Sequence, residues 1–246
     1  MPKTLILIPS RLAASRLPGK PLLKINGLSI ISHVFNKAKK SNVGEVYVCT
    51  GDKEIYEDVR NNGGNCILTQ KEHKTGTDRI YEGFQKLNLS NVDYILNLQG
   101  DEPTIDVEDI KKMNSIACKN ESDVATLASQ INGKEKLNEE NIVKVQTKED
   151  LKLKDFSHAI KFFRISNNLN YNNVYHHIGI YQYRTSVLKK FVKLAQTKSE
   201  IKYKLEQLRV LENEINIDVI LAKSAPIGID TKKDYMEIKK FMEYKS

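Results

Sequence analysis

A chain of 246 residues is long enough for one large α/β domain, or for one domain that carries a modest insertion. Hydrophobic residues make up 40% and charged residues 28%, with 12 Gly and 6 Pro, which excludes a disordered or fibrous protein. No apolar run approaches the roughly 18–20 residues that cross a bilayer, and the short run Thr4–Pro9 leads into Ser10-Arg11 rather than a signal-peptide cleavage site. We therefore expect a cytoplasmic protein with no membrane partner.

The net charge of +8 is compatible with nucleic-acid binding, but the lysines are spread along the whole chain, without Trp or aromatic–basic interleaving. We expect no nucleic-acid partner, because an anionic small-molecule substrate explains the positive balance at least as well. Cys49, Cys66 and Cys118 are widely spaced without a C-x-x-C motif, so the sequence predicts neither a disulfide framework nor a zinc site.

The first hundred residues alternate strand and helix patterns. In chain order they predict strand Thr4–Ile8, helix Ser29–Lys40, strand Glu45–Thr50, helix Lys53–Asn62, strand Asn65–Thr69, helix Thr77–Leu87 and strand Asp93–Leu98. Repeated strand–loop–helix units predict a mostly parallel sheet with helices on both faces, a three-layer α/β/α arrangement.

The second half is less regular. It predicts strands Val124–Ser129, Ile142–Thr147, Ile178–Tyr183 and Ile215–Ala222, and helices Ser186–Lys193, Glu200–Glu212 and Lys232–Tyr244. Neither an internal repeat nor a long linker divides the chain. We therefore expect a single domain over residues 1–246, with an insertion-like subdomain at about 130–215.

Three loops follow predicted strands at the edge where open parallel sheets bind ligands: Ser10–Pro21, Gln70–Arg79 and Gln99–Pro103. The first contains Arg11, Arg16 and Lys20 together with glycine and proline, a combination suited to binding phosphate. It matches neither the G-x-x-x-x-G-K-[ST] nor the G-x-G-x-x-G motif. The alternative is a solvated basic loop.

Carboxylates follow two of the predicted strands. Asp101 and Glu102 come directly after the apolar strand Asp93–Leu98, and Asp230 follows the last strand after a short turn. Carboxylates from two loops next to a polyphosphate can hold one Mg²⁺. The alternative for Asp230 is a helix cap, because it precedes the predicted helix Lys232–Tyr244.

Six motifs carry a resemblance that runs nearly end to end. They are Ile8-Pro9-Ser10-Arg11 with Ser15-Arg16-Leu17-Pro18-Gly19-Lys20-Pro21-Leu22, Thr75-Gly76-Thr77-Asp78-Arg79, Asn97-Leu98-Gln99-Gly100-Asp101-Glu102-Pro103, His177-Ile178-Gly179-Ile180-Tyr181, Leu205-Glu206-Gln207-Leu208-Arg209 and Gly228-Ile229-Asp230-Thr231. In this order they resemble the 3-deoxy-manno-octulosonate (Kdo) cytidylyltransferase family. The resemblance implies a Rossmann-like nucleotidyltransferase fold of the nucleotide-diphospho-sugar transferase type, with a small sugar-binding and dimerisation subdomain.

The same resemblance implies transfer of CMP from CTP to the anomeric hydroxyl of Kdo for lipopolysaccharide core synthesis, with Mg²⁺ as cofactor and a homodimeric protein. Expected catalytic residues are Lys20, Asp101, Asp230 and Arg11, with Asp101 and Asp230 as the metal ligands. Expected nucleotide-binding residues are Pro9, Ser10, Arg11, Lys20, Thr75, Gly76, Arg79, Gln99 and Gly100. Expected sugar-binding residues are Arg16, Arg164, His177, Tyr181, Glu206 and Gln207.

Some of these residues have plainer interpretations when each is taken alone. His177 beside His176 fits a surface position, Glu206 fits a helix-face partner of a lysine four residues away, and Tyr181 fits the core.

Departures from the family pattern lie on the sugar side. Phe163 stands where the family has serine, Ser166–Asn168 replaces an Ile-Pro pair, and Tyr203 replaces a glutamate. A related ulosonic acid such as 8-amino-Kdo is therefore the alternative acceptor. A non-catalytic basic binding protein is a further alternative, which the paired aspartates disfavour.

Overall fold

The computed structural model describes residues 2–13, 16–131, 133, 137–165, 172–223 and 225–244. The strands are β1 Thr4–Ser10, β2 Lys24–Ile25, β3 Leu28–Ser29, β4 Gly44–Thr50, β5 Cys66–Leu68, β6 Tyr94–Asn97, β7 Val124–Ser129, β8 Lys144–Thr147, β9 Ser157–Phe163, β10 Val174–Arg184 and β11 Ile217–Leu221. The α-helices are α1 Ile30–Lys40, α2 Lys53–Asn61, α3 Gly76–Leu87, α4 Val107–Lys119, α5 Thr185–Phe191, α6 Lys198–Tyr203, α7 Gln207–Glu212 and α8 Lys232–Glu243.

These elements form two compact units. The first contains Met1–Lys111 and Pro226–Ser246, and the second contains Lys112–Ala225. The subdomain expected at about 130–215 falls within the sequence limits of the second unit. Among the described residues, no helix combines the length and the apolar character needed to span a membrane.

The first unit is built on a parallel sheet in the order β5-β4-β1-β6. Its central strand β1 is buried along nearly all its length, as the continuous apolar run Thr4–Ile8 predicts. Right-handed crossovers place α1 and α2 on one face and α3 on the other, because the chain reverses direction across the sheet after β5. This reversal lies between β1 and β6, the position at which such sheets bind ligands.

Two elements of the first half were missing from the sequence prediction. The hairpin β2–β3 turns at Asn26 and Gly27, which both have positive φ, the conformation that an Asn-Gly turn favours. Helix α4 buries Ile110, Met113 and Ala117, but polar residues between them obscure the helical pattern. Cys49 and Cys66 lie in strands as expected, whereas Cys118 lies in α4; all three are free thiols.

The second unit has a mainly antiparallel sheet in the order β10-β7-β11-β9-β8. Strand β8 pairs with β10 as well as with β9, so the five strands form a closed ring. Only β7 and β11 run parallel among the described pairs, so the expected parallel sheet corresponds to the first unit.

The predicted helix Glu200–Glu212 is wrong as one element, because the structure has two helices, α6 and α7. Lys204 ends α6 in the left-handed conformation, with φ of 53°. Arg209 of α7 then reaches back to Glu200 of α6, with Nη2 2.8 Å from Oε1 and Nε 2.9 Å from Oε2. Both side chains are 4% exposed, so this buried ion pair connects the two helices.

Removing one partner of this pair is expected to destabilise the second unit strongly. Arg209→Leu leaves the Glu200 carboxylate buried without its counter-charge, a change that costs about 3–5 kcal/mol. Urea denaturation measures the free energy of unfolding. The double variant Glu200→Leu/Arg209→Leu should recover part of the loss, and a single variant as stable as the wild type would contradict the assignment.

Candidate active site

The loop after β1 is held in shape by its own main chain and by the neighbouring strand. The Leu12 amide donates to Asp52 Oδ2 at 2.8 Å, and the Gly19 amide donates to the Leu12 carbonyl at 3.1 Å. Gly19 has φ of 71°, a left-handed conformation that glycine adopts without a Cβ clash. The chain then enters the 3₁₀ turn Lys20–Leu22, which is how the short loop aims Lys20 back across the sheet edge.

The loops that carry Asp101 and Asp230 are joined by a main-chain hydrogen bond. The Ile229 amide donates to the Asp101 carbonyl at 3.0 Å, and the fully buried Ile229 side chain packs with Ile25 and Ile238. Thr231, rather than Asp230, caps α8, so the helix-cap alternative for Asp230 is wrong. The Asp230 carboxylate is therefore available for other partners.

Both carboxylates converge on one cation. Lys20 Nζ lies 2.6 Å from Asp101 Oδ2 and 3.4 Å from Asp230 Oδ1, and its side chain is only 11% exposed. Arg16 Nη2 lies 2.9 Å from Asp230 Oδ2. The structure thus pairs Arg16 with Asp230, although sequence reasoning placed it with the sugar. Two carboxylates around one positive charge also suit a divalent cation that prefers oxygen ligands.

These groups line a cavity of about 350 Å³ at the strand ends of the first unit. Its lining contains all of the expected catalytic and nucleotide-binding residues. The lining residues are Pro9, Ser10, Arg11, Arg16, Lys20, Pro21, His73, Lys74, Thr75, Gly76, Arg79, Gln99, Gly100, Asp101 and Asp230. Five cationic side chains face two carboxylates, so the cavity favours an anionic ligand.

The wall formed by β1 and the loop after β6 is tightly packed. A Cβ atom on Gly100 would lie 2.9 Å from the Pro9 carbonyl oxygen and 3.1 Å from Ile31 Cδ1, so only glycine fits. Beside it, Ser10 Oγ is buried and has no hydrogen-bond partner among the described residues. A buried hydroxyl of this kind is costly unless a ligand or water satisfies it.

The opposite wall begins at the N-terminus of α3. Thr75 caps this helix in a reciprocal pair with Asp78. Arg79 is buried and donates to Thr69 Oγ1 at 2.7 Å and to the carbonyls of Gln70 and Lys71 at 3.0 Å. Burial lowers the pKa of Arg79. Its guanidinium is thus committed to shaping the loop after β5.

Three cavity residues were missing from the expected site residues: Pro21, His73 and Lys74. His73 and Lys74 come from the loop after β5, which was a candidate loop without these residues being singled out. His73 Nε2 lies 2.6 Å from Glu82 Oε2. The position of the loop beyond a parallel strand was the available signal.

Glu102 differs from its neighbour Asp101. Burial, with Asp101 and Asp230 close by, raises the pKa of Glu102 to about 8. Its Oε2 atom is buried without a hydrogen-bond partner among the described residues. Asp101 therefore lines the cavity, whereas Glu102 does not.

The remaining sugar-side residues belong to the second unit. His177 is buried, with Nε2 3.1 Å from Thr126 Oγ1, and its ring packs edge-on against Phe162 and next to Tyr181. Burial lowers the pKa of His177 to about 3 and raises that of Tyr181. The surface interpretation of His177 is therefore wrong, whereas Tyr181 is a core residue.

Other sugar-side residues differ in exposure. Gln207 is buried, and Glu206 Oε1 lies 3.5 Å from Arg209 Nη2. Arg164 follows β9 and donates from Nη1 to the Glu140 carbonyl at 3.1 Å. Tyr203 is 49% exposed.

Of the departures from the family pattern, Phe163 packs under the Lys161 ammonium, 5.3 Å from its ring centroid. The replaced segment Ser166–Asn168 lies outside the described residues.

Comparison with known proteins gives concordant matches. A family model described as cytidylyltransferase matches residues 5–217. The 3-deoxy-manno-octulosonate cytidylyltransferase of Rhodopseudomonas palustris (strain BisB5) is 41% identical over 235 residues, which cover 95% of each chain. A solved structure of CMP:2-keto-3-deoxy-manno-octonic acid synthetase complexed with CTP matches with a TM-score of 0.90 and 34% identity, over 99% of this chain and 100% of that one.

A more distant structure has the same fold. UDP-glucose pyrophosphorylase complexed with UDP-glucose has 15% identity and a TM-score of 0.72 over 100% of both chains. The Rossmann-like α/β fold of nucleotidyltransferases, expected from the sequence motifs, is thereby confirmed.

The buried His177 is expected to make stability depend on pH. Its pKa is about 3 in the folded chain and near 6.5 in the unfolded chain, so the unfolded chain binds the extra proton as the pH falls below 6.5. Between pH 7.5 and pH 5 this costs about 2 kcal/mol. His177→Gln should lose that part of the pH dependence in urea denaturation; an unchanged dependence would contradict the neutral buried imidazole.

Proposed function

Since the chain belongs to the 3-deoxy-manno-octulosonate (Kdo) cytidylyltransferase family, we propose that it transfers CMP from CTP to the anomeric hydroxyl of Kdo. The observation that carries the proposal is the cavity in which two carboxylates meet Lys20 among four further cations. The sugar hydroxyl loses its proton to solvent, and its oxygen forms the new bond to the α-phosphorus of CTP. The bond from the α-phosphorus to the oxygen that bridges it to the β-phosphorus breaks, and pyrophosphate leaves. The product, CMP-Kdo, serves lipopolysaccharide core synthesis.

The cations of the loop after β1 bind the triphosphate. Arg11 and Lys20 lie at the edge of the cavity where charge must be neutralised as the leaving pyrophosphate develops it. Fixed cations stabilise this charge without having to reorganise during the reaction. Lys20 begins from the carboxylates and exchanges them for phosphate oxygens when the nucleotide binds.

Asp101 and Asp230 are the residues that would hold a divalent cation, which we propose to be Mg²⁺. Their oxygens already surround a single positive charge, and carboxylate is the ligand that Mg²⁺ prefers. When bound, Mg²⁺ supplies Lewis-acid stabilisation at the phosphate and lowers the pKa of the attacking hydroxyl. The main-chain bond between Ile229 and Asp101 keeps the two carboxylates together whether or not the cation is present.

Substrate selection divides between the two units. Ser10 and Gln99, on the β1 and β6 sides of the cavity, are the proposed readers of cytosine, because a buried unsatisfied hydroxyl can match a polar base edge. Arg164 is the proposed partner of the sugar carboxylate, since a guanidinium binds a carboxylate through two parallel hydrogen bonds. The departure at Phe163, adjacent to Arg164, keeps 8-amino-Kdo or another keto-sugar acid open as the acceptor.

The second unit also supports a homodimer. Among the described residues of this unit, five large hydrophobic side chains are about half exposed or more: Leu153, Ile160, Ile165, Ile201 and Tyr203. Apolar side chains of this kind are often covered by a partner subunit. We propose a cytoplasmic homodimer that associates through the second unit, where the family resemblance leads us to expect the dimerisation surface.

Pyrophosphate release tests the proposed reaction. The purified protein is incubated with Mg²⁺, each of CTP, ATP, GTP and UTP, and either Kdo, 8-amino-Kdo or another keto-sugar acid. Pyrophosphate release only in the combination of CTP with Kdo supports the proposal. Faster release with CTP and another acid identifies that acid as the acceptor instead. Nucleotide binding without release in any combination would favour the non-catalytic binding protein.

Neutralising either aspartate is expected to abolish turnover nearly completely. Asp101→Asn and Asp230→Asn keep the side-chain shape but lose the charge that a divalent cation needs, at a cost of about 3–4 kcal/mol in the transition state. The exposed Asp155→Asn is the matched control, and circular dichroism checks the fold. Wild-type rates at saturating Mg²⁺ in either site variant would overturn its role as a metal ligand.

Removing a cation from the loop after β1 is expected to impair CTP use selectively. Lys20→Ala and Arg11→Ala should raise the KM for CTP or lower kcat/KM for CTP by about 10²-fold, because one charge-assisted phosphate contact contributes about 1.5–3 kcal/mol. The KM for Kdo should change much less. Lys39→Ala, an exposed lysine at the end of α1, controls for net charge; equal effects on both substrates would argue against phosphate binding.

A further inference from the structure

The side chain of Lys144 is unusual in its burial. It lies on β8 and is 0% exposed, and Nζ donates to the Glu139 carbonyl at 2.5 Å and to the Arg164 carbonyl at 2.6 Å. Burial lowers the pKa of Lys144, and the smaller effects of its charged neighbours oppose each other, since the Glu139 carboxylate raises that pKa and the Arg164 guanidinium lowers it. Both of these acceptors are main-chain carbonyls, which carry no full negative charge.

A buried ammonium held by carbonyls is an expensive way to fill space. Taking an ammonium out of water costs several kcal/mol, which neutral acceptors repay only in part, and an apolar side chain of similar volume avoids that cost. The stability of the strand ring therefore gives no reason for a lysine at this position, whereas the location of its two acceptors does.

Lys144 connects the segment around Glu139 with Arg164, which follows β9. Strand β8 lies between β9 and β10, with Lys144 opposite Phe163 on β9. Its ammonium holds the main chain of Arg164 directly, and it also holds Glu139. The next residue, Glu140, supplies the carbonyl that accepts from the Arg164 guanidinium at 3.1 Å. The ammonium thus bonds the main chain of Arg164 directly, and it also bonds the residue next to the one that accepts from the Arg164 head group.

We propose that Lys144 is a positioning residue for Arg164, and that it fixes the guanidinium in the orientation that receives the carboxylate of the sugar acid. This inference rests on the proposed function of Arg164. A bidentate guanidinium–carboxylate contact needs its donors held within a fraction of an ångström and a few tens of degrees. A displacement of about 1 Å lowers the efficiency of such a site by up to about 10²-fold.

Replacement of the ammonium tests this role. Lys144→Met keeps the length and apolar volume of the side chain and removes both donors. We expect the KM for Kdo to rise about tenfold or more, with the KM and the calorimetric Kd for CTP unchanged within about twofold. Intact CTP binding reports a folded first unit, and thermal unfolding reports the second. Equal losses for both substrates would show that Lys144 supports only the fold.

A matched variant and a double variant sharpen the result. Thr147→Val removes another buried donor of β8, whose Oγ1 donates to the Glu149 carbonyl at 2.7 Å, without touching Arg164. It should lower thermal stability but leave the KM for Kdo unchanged. Lys144→Met should add less than about twofold to the KM for Kdo in an Arg164→Ala background, because coupled residues are not additive. A full additional tenfold there would overturn the proposal.

Three further outcomes keep the test decisive. If Lys144→Met does not fold, Lys144→Arg replaces it: this variant retains the charge but shifts the donors, and should raise the KM for Kdo while sparing CTP. A wild-type protein that does not transfer CMP to Kdo or to another keto-sugar acid would refute the proposed function itself. An Arg164→Ala variant with an unchanged KM for the acceptor would refute the sugar role of Arg164, on which the inference rests.

Discussion

The ion-pair cluster of Lys20, Asp101 and Asp230 is the constraint around which the first unit is arranged. Two carboxylates brought together repel each other, and at an effective dielectric of 20 two unit charges 4 Å apart interact by about 4 kcal/mol. A cation between them converts this repulsion into attraction. The Ile229–Asp101 main-chain bond and the buried Ile229 side chain hold the loops at the distance that one cation can bridge.

This arrangement explains why the loop after β1 supplies cations and the loops that carry Asp101 and Asp230 supply carboxylates. Lys20 and Arg16 neutralise the aspartates in this structure. In the proposed reaction, a divalent cation that arrives with a polyphosphate would offer the aspartates a stronger partner, and Lys20 would then be free to bind phosphate. Each aspartate thus has a positive partner in this structure, and it would keep one in the proposed metal-bound state.

Whether the sequence predicts the place of a site residue depends on the strand, helix or loop that carries the residue. Loops after parallel strands meet at one sheet edge, so the cavity residues could be placed from strand patterns and motifs alone. The ion pair of Arg16 with Asp230 could not be predicted, because it depends on the path of a short loop. The break between the helices at Lys204 could not be predicted either, since a left-handed lysine has no sequence signature. The burial of His177 depends on the strand ring, which the sequence pattern did not reveal.

The two units also differ in how far their residues can vary without loss of the chemistry. In the first unit the wall at Gly100 leaves no room for a side chain, and the two cavity aspartates, Asp101 and Asp230, each pair with a cation. In the second unit Phe163 and Tyr203 are only partly buried. The Lys144 ammonium donates a hydrogen bond to the main-chain carbonyl of Arg164, the residue that follows Phe163. If Arg164 binds the sugar carboxylate as we propose, its main-chain bond to Lys144 would hold that contact in place while the side chains at positions 163 and 203 differ to suit another keto-sugar acid.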